Sequence, residues 1–156
     1  MRDFDYISRE TEETVANEDL FMEYLYENHG ISCHKMPPNF VLDFFMTGKG
    51  LNSGRAVAEF KQRKMSSINQ YDQRGGIFVN EKKISKMKIW KDLYDVSGYI
   101  FVGLTNGNYY KCKVDNISFK NFDLSVSDNL YGGLNNGGER DRQLTFTIPS
   151  HNFDPL

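Results

Sequence analysis

Two short runs of the sequence, FVLDFFM at 40–46 and RAVAEFKQ at 55–62, place the strongest constraint on its fold. Both are rich in apolar residues, and the segment that joins them, TGKGLNSG, contains three glycines. Strand-like runs on either side of a glycine-rich turn are typical of a β-hairpin. Because alternate side chains of a strand point to opposite faces, this hairpin also decides which residues meet.

One register of the hairpin gives a face that is apolar throughout. A shift by one residue would bring charged side chains into that face, so the hydrophobic pattern disfavours it. A shift by two residues would keep both faces and would turn facing residues into diagonal neighbours. The facing pairs of the preferred register are Met46 with Ala56, Phe44 with Ala58, and Leu42 with Phe60.

The opposite face of the hairpin carries charge. The same register places Asp43 opposite Glu59, and Val41 opposite Lys61. Directly opposed residues have Cβ atoms about 4.5–5.5 Å apart, so the two carboxylates repel each other, and apolar neighbours strengthen the repulsion. A hard divalent cation, usually Mg²⁺, would offset this repulsion together with the lysine. The pattern predicts a metal site with a lysine beside it; the alternative is an exposed strand face whose charges pair with one another.

Two helices are predicted, one on each side of the hairpin. The first extends from Ser8 to Gly30, with Ser8 or Thr11 as its cap and the glycine as its end. The second extends over 79–96 and is capped by Asn80. The segments ISCHKMPPN and MSSINQYDQRGG are predicted to be connectors without regular structure.

Further strands are predicted in the C-terminal half. GYIFVGL and YYKCKV flank Asn106-Gly107, a dipeptide that favours a tight hairpin turn. QLTFTIP alternates and is predicted to be a late strand that Pro149 ends. The Gly- and Asn-rich segment around 127–142 is predicted to be flexible. The order of helices and strands predicts an α/β or α+β sheet domain.

Composition limits the class of protein. A length of 156 residues with 39% hydrophobic residues suits one domain over 1–156. A net charge of -2 argues against a polybasic nucleic-acid coat but permits a basic cleft. Cys33 and Cys112 fit no paired pattern and are expected to be free thiols. We expect a cytoplasmic protein, because no run has membrane-spanning length and the acidic start lacks the apolar core of a signal peptide.

The hairpin residues resemble the signature of the PD-(D/E)XK nuclease superfamily, an Asp on one strand and (Asp/Glu)-x-Lys on the next. Here VLDFF supplies Asp43, and VAEFKQRK supplies Glu59 and Lys61. Leu42 stands where the superfamily pattern has a proline. AEFKQRK is also similar to the E-x-K-x-R-K stretch of archaeal Holliday-junction resolvases, and the small size and the ending RQLTFTIPSHNF resemble small phage-encoded members.

The resemblance implies a restriction-endonuclease-like fold, a mixed central sheet flanked by helices. It implies that Asp43 and Glu59 ligate Mg²⁺ or Mn²⁺ and that Lys61 orients or deprotonates the attacking water. A carboxylate of the first helix would also bind metal, and Glu18 and Glu23 are both candidates. The catalytic set implied by the resemblance is Asp43, Glu59, Lys61, Gln62 and Glu18, where Gln62 would contact phosphate or water.

The implied function is a metal-dependent nuclease that cleaves DNA as an endonuclease and acts as a homodimer, without a small-molecule cofactor. Basic residues near the site, and one lysine of the second helix, would bind phosphates; the alternative for the helical lysines is a solvated face. The alternative function is a non-catalytic module with a nuclease fold that binds nucleic acid or protein, such as a viral accessory factor. The residues expected to contact DNA are Lys49, Arg55, Arg63, Lys64 and Lys88.

Overall fold

The structure, a computed structural model, describes residues 12–37, 39–129 and 141–156, apart from the side chains of 127–129, 141 and 142. This part of the chain contains two α-helices and two β-sheets. The helices are α1 (Glu12–His29) and α2 (Glu81–Tyr94). The strands are β1 (Ser32–Lys35), β2 (Phe44–Thr47), β3 (Arg55–Gln62), β4 (Ile77–Asn80), β5 (Ser97–Gly103), β6 (Tyr109–Lys113), β7 (Asp123–Asn129), β8 (Asp141–Ile148) and β9 (Asp154–Pro155).

The larger sheet has six strands in the order β1-β2-β3-β5-β6-β9 and is mixed. β3 and β5 run parallel, while the other neighbouring pairs in this order are antiparallel. A parallel pair needs a crossover connection, and α2 lies in the connection between β3 and β5. The smaller sheet, β4-β8-β7, is antiparallel.

Both faces of the larger sheet are covered by apolar contacts. On one face, Phe21 of α1 packs with Phe44 of β2. On the other face, Met87 of α2 packs with Val57 of β3 and with Ile148 of the smaller sheet. The predicted α/β (α+β) architecture, a mixed central sheet flanked by helices, is therefore confirmed.

The predicted register of the hairpin is confirmed along β2 and β3. Met46 lies opposite Ala56, and Phe44 lies opposite Ala58. All four of these side chains are fully buried. The alternation of apolar residues therefore sufficed to fix the pairing, because a shift by one residue would have placed charge in this core.

The prediction that the first strand of the hairpin covers 40–46 is wrong at its beginning. Residues 40–43 form a bend, and β2 begins only at residue 44. Alternation is lost where the backbone bends, so Leu42 does not face Phe60. Leu42 lies on the other side of the sheet, in the same core as Val57, while Val41 is exposed.

The ends of both helices follow from local sequence. Gly30 directly follows α1 and has a φ of 65°, a conformation that favours glycine. The side chain of Asn80 accepts a hydrogen bond from a backbone N–H in the first turn of α2. Both predictions are confirmed. The candidate caps of α1, Ser8 and Thr11, lie outside the described residues.

Several elements are not predicted by the sequence pattern. The segment ISCHKMPPN contains β1, and MSSINQYDQRGG contains a 3₁₀ helix at Ile68–Arg74. Strands β4 and β7 are also missed. The backbone of 127–129 belongs to β7 and that of 141–142 to β8, at the two ends of the segment that is predicted to be flexible. Its centre, 130–140, lies outside the described residues.

The remaining predictions for the C-terminal half are confirmed. Gly107, in the turn between β5 and β6, has a φ of 84°. The late strand β8 ends at Ile148, immediately before Pro149.

Cys33 and Cys112 are free thiols, and burial raises the pKa of these thiols to about 11 and about 12. No helix in the described part of the chain is long and apolar enough to cross a bilayer.

Candidate active site at the end of β3

β3 presents two charged side chains on the face of the sheet that α2 covers. Because side chains alternate, Glu59 and Lys61 share this face with Val57, while Ala58 and Phe60 belong to the core beneath α1. Only 4% of Glu59 is exposed. An isolated buried charge is costly, so a carboxylate at this depth needs partners.

Lys83 of α2 is the nearest of these partners. Its Nζ donates to Glu59 Oε1, and Lys61 Nζ lies 3.8 Å from the same oxygen. α2 packs closely on the sheet at Gly98, where an added Cβ would lie 2.6 Å from Met87 Cβ. Lys83 precedes Met87 by four residues, about 6 Å along the helix. Val57 is the residue of β3 that pairs with Gly98, and Glu59 lies two residues beyond it, roughly 6.6 Å along the strand. The two distances are similar, so this packing places the lysine over the carboxylate.

The second oxygen of Glu59 has no partner. Oε2 is buried and accepts no hydrogen bond in the described structure. Burial raises the pKa of Glu59 to about 7, Asp43 adds to the rise, and Lys83 and Lys61 oppose it. The carboxylate is therefore held in an environment that penalises its charge, which is a frequent property of functional sites.

The pKa of Lys61 is shifted in the opposite direction, downward. Burial lowers the pKa of its ammonium to about 8, Arg63 and Lys83 lower it further, and Glu59 opposes the shift. A lysine in this range gives up a proton near neutral pH more readily than an exposed one. The site thus contains an acid and a base whose pKa values have moved toward neutrality.

Asp43 reaches β3 through its side chain. Its backbone N–H donates to Ala58 O at 3.1 Å, so it is not the ladder partner of Glu59, which corrects the predicted direct opposition. Its Oδ2 instead accepts a hydrogen bond from the Phe60 N–H at 2.9 Å. Asp43 immediately precedes β2, so its carboxylate continues the pairing along β3 past the first residue of β2. Because Phe60 directly follows Glu59, this bond fixes the two acids next to each other.

A cleft of about 590 Å³ opens beside the end of β3. One wall comes from α1 and is polar and acidic; the other comes from β3 and its continuation and is basic. The basic wall is tied to β5 and its turn, because Arg63 N–H donates to Gly103 O at 2.9 Å and Thr105 N–H donates to Met65 O at 3.2 Å. The lining residues are Glu13, Thr14, Asn17, Glu18, Phe60, Lys61, Gln62, Arg63, Lys64 and Thr105.

Of the two first-helix candidates, Glu18 lines the cleft, whereas Glu23 is exposed elsewhere on α1. Glu18 Oε2 lies 3.2 Å from Lys35 Nζ. No group of three or more His, Cys, Asp or Glu side chains is gathered closely enough to hold a metal ion in the part of the chain that the structure describes. Glu18 therefore does not form one cluster with Asp43 and Glu59.

The predicted residues of the basic run line the cleft together. Gln62 Nε2 donates to Leu104 O at 3.3 Å, and the guanidinium of Arg63 donates to Gln62 O at 3.1 Å. Burial lowers the pKa of the Arg63 guanidinium. Lys64 is exposed at the rim. Gln62, Arg63 and Lys64 thus stand next to Lys61, in the order of the sequence.

Three other predicted DNA contacts lie apart from this group. Arg55 pairs with Thr47 at the turn end of the hairpin, and Lys49 lies in that turn, so neither flanks the carboxylates as predicted. The reason is the direction of β3, which separates its first residue from Glu59 by about 13 Å. Lys88 Nζ donates to Ile117 O at 3.1 Å, away from the cleft residues.

Sequence reasoning missed Lys83 as a member of the site. The residue is visible in the sequence only as one of several lysines on the second helix. Its signal is the four-residue spacing from Met87, because two residues at that spacing share one face of a helix. Met87 is buried against the sheet, so Lys83 also points toward it.

The two carboxylates suit a hard divalent cation. Mg²⁺ keeps several waters and is typically bound through one or two carboxylates plus substrate phosphates. Asp43 and Glu59 supply oxygen donors of this kind, and the unpaired Glu59 Oε2 is an acceptor without a donor among the described residues. The donor set therefore fits Mg²⁺ or Mn²⁺.

Comparison with known proteins gives a similarity at the level of structure. No protein-family model and no curated protein sequence matches the chain. A solved structure that is similar is that of Hjc, a Holliday junction resolvase from Archaeoglobus fulgidus. The similarity covers 83% of each chain with a TM-score of 0.48 and 10% sequence identity. This similarity assigns no role to any residue of this chain.

Proposed function

We propose that the chain is a Mg²⁺- or Mn²⁺-dependent nuclease that hydrolyses phosphodiester bonds in DNA as an endonuclease. The observation that supports this most directly is the position of Asp43, Glu59 and Lys61. Two adjacent carboxylates, one with an unpaired buried oxygen, stand beside a lysine of lowered pKa. That lysine lines a cleft with a basic wall. This set of groups is suited to metal-assisted hydrolysis of an anionic ester.

Each residue has a chemical role in this proposal. Asp43 and Glu59 would hold the cation, which when bound would supply Lewis-acid polarisation of water and shield the charge of the phosphate. Lys61 orients the attacking water and accepts or shares its proton at Nζ, for which a lowered pKa is favourable. Gln62 contacts the phosphate or the water from its place on the cleft wall. Glu18, on the opposite wall, would act on the metal through water.

The same cleft accounts for the proposed partner. Arg63 and Lys64 stand on its basic wall and would bind the phosphates on either side of the cleaved bond. Lys49, Arg55 and Lys88 would contact phosphates farther along the DNA. We further propose a homodimer, because a single site of this kind cuts one strand and two copies would address both. The oligomeric state is measurable by sedimentation.

The test compares the wild-type protein with Asp43→Asn on supercoiled, linear and branched DNA, with Mg²⁺, Mn²⁺ or EDTA. We expect metal-dependent nicking by the wild type and none by Asp43→Asn. Asp92→Asn is the matched control, because it removes a carboxylate that is exposed on α2. It should cut like the wild type.

Two results would contradict the proposal. The first is a wild-type protein that is inert on all three DNAs and on RNA. The second is equal cleavage by wild type and Asp43→Asn. If DNA is bound but never cut, the non-catalytic binding module is the correct function.

A further inference from the structure

The candidate site is already neutralised by the protein's own side chains. In their ionised forms, Asp43 and Glu59 carry two negative charges, and the ammonium groups of Lys61 and Lys83 carry two positive ones. Both lysines lie at the same oxygen, Glu59 Oε1. A divalent cation added to this set would meet two positive charges in a buried environment, where repulsion is stronger than in water.

We propose that in the free protein the ammonium of Lys83 supplies, at Glu59, the positive charge that a divalent cation would supply. Lys83 thereby weakens metal binding until a DNA phosphate enters the site. This inference rests on the proposed function and names the regulation of the same site. Lys83 is a positioning residue here: it acts on Glu59, not on the DNA. The phosphodiester supplies the negative charge that lets Lys83 leave Glu59 or tolerate the ion.

The structure indicates why Lys83, and not Lys61, is the residue that yields. Lys61 belongs to β3, two residues from Glu59, and its side chain is 16% exposed. Lys83 reaches across from α2, and its side chain is 24% exposed. Its flexible four-carbon stem allows the ammonium to turn to solvent without moving the helix.

Metal and DNA should consequently assist each other's binding. If a phosphate raises the affinity for metal by some factor, the metal must raise the affinity for that DNA by the same factor. This agrees with the preference of Mg²⁺ for sites that combine one or two carboxylates with substrate phosphates. The protein would then bind the metal ion when it binds DNA.

The first experiment measures Mn²⁺ binding without DNA, from the electron paramagnetic resonance signal of free Mn²⁺, at mildly alkaline pH. We expect Lys83→Met to bind Mn²⁺ on the order of tenfold more tightly than wild type, since one repelling charge is lost. Loss of the Lys83 charge also makes protonation of Glu59 more favourable. The removed repulsion is twice as large for a divalent ion as for a proton, so metal binding is favoured more. Equal or weaker binding by Lys83→Met would overturn the inference.

Two further variants separate charge from shape. Lys83→Arg keeps the positive charge, and its Mn²⁺ affinity should stay close to that of the wild type. Lys82→Met removes the neighbouring exposed lysine of the same helix, and should change the affinity by less than about twofold because solvent screens its charge. If Lys82→Met tightens binding as much as Lys83→Met, the specific contact with Glu59 is not the cause.

The second experiment adds a short DNA oligonucleotide, or the same sequence with neutral methylphosphonate linkages. The normal oligonucleotide should tighten Mn²⁺ binding to the wild type, the neutral one should not, and the gain should be smaller in Lys83→Met. Equal gains in both proteins would contradict the role of Lys83. The inference and the proposed function fail separately. If the wild type cuts DNA but Lys83→Met binds Mn²⁺ no more tightly, only the inference about Lys83 is refuted. If Lys83→Met binds Mn²⁺ more tightly but the wild type cuts no DNA, only the proposed nuclease function is refuted.

Discussion

Two buried carboxylates of this protein look alike at first and differ in what surrounds them. Glu59 and Asp115 each have one oxygen without a hydrogen-bond partner in the described structure, and each lies between two lysines. α2 supplies one lysine to each, Lys83 near its beginning and Lys91 near its end. The two clusters lie at different positions along the parallel strand pair: Ser97, which donates to Asp115, begins β5, whereas Glu59 pairs with Ile100 at the middle of β5.

The two clusters differ in the position of a second carboxylate and in whether the cluster opens to a cleft. Beside Glu59, Asp43 is anchored by a backbone N–H of the same strand, and the neighbouring Lys61 lines the cleft. Beside Asp115, the other acid is Asp95, which is exposed and pairs with Lys91 at 2.6 Å. An unpaired buried oxygen is therefore not enough to indicate a site. A second acid, fixed in place at a cleft, distinguishes the catalytic candidate from a cluster that ties a helix end to the sheet.

The largest expected effect contrasts these two acids directly. Glu59→Gln should lower metal-dependent DNA cleavage on the order of 100-fold or more, because a neutral amide is a poor ligand for a hard cation. Asp115→Asn should keep cleavage within about twofold of the wild type. The rate of nicking of supercoiled DNA measures both. A comparable loss in both variants would remove the distinction between the clusters.

A smaller effect is expected from the helix that serves both clusters. Gly98→Ala would push Met87 and α2 away from the sheet, since the added Cβ would lie 2.6 Å from Met87 Cβ. We expect a loss of about 1–3 kcal/mol in the free energy of unfolding, typical of overpacking. The matched control is Gly50→Ala, whose Cβ would meet nothing within 4 Å. Urea unfolding of the two variants checks the contrast, and equal stabilities would contradict it.

An effect of similar size concerns the pH dependence of stability without metal. The pKa of Glu59 is raised by burial from 4.5 to about 7, so between these values the folded state binds a proton that the unfolded state has lost. The stability due to this group is complete below pH 4.5 and is lost as the pH rises through about 7. Over this window, in EDTA, the wild type should lose on the order of 1–3 kcal/mol relative to Glu59→Gln. Parallel stability curves would show that Glu59 is not perturbed.

The hairpin could be predicted because its information is local. The alternation in FVLDFFM and RAVAEFKQ fixes the register of Met46 with Ala56, and it places Glu59 and Lys61 on one face. It could not predict the bend before Phe44, because that bend depends on how the chain arrives from β1. The same bend moved Leu42 to the other face and left Asp43 to reach β3 through its side chain.

The parts of the site that come from elsewhere in the sequence were harder to predict. Lys83 meets Glu59 where α2 packs onto the sheet near Gly98, a contact between segments that no local pattern encodes. The choice between Glu18 and Glu23 depended on the packing of α1. Lys49 and Arg55 are near Glu59 in the sequence, yet an extended strand carries them to the far end of the hairpin. Closeness in sequence is a poor guide along a strand and a better one on a helix.

The central claim is that Asp43 and Glu59 share one divalent cation, and Mn²⁺ binding tests it most directly. Calorimetric titration to millimolar Mn²⁺, with and without a DNA oligonucleotide, should show one set of sites in the wild type and in Asp115→Asn. The same titration should show no specific binding in Asp43→Asn or in Glu59→Gln. Undiminished binding in both of these variants, or no binding by the wild type even with DNA, would contradict the claim.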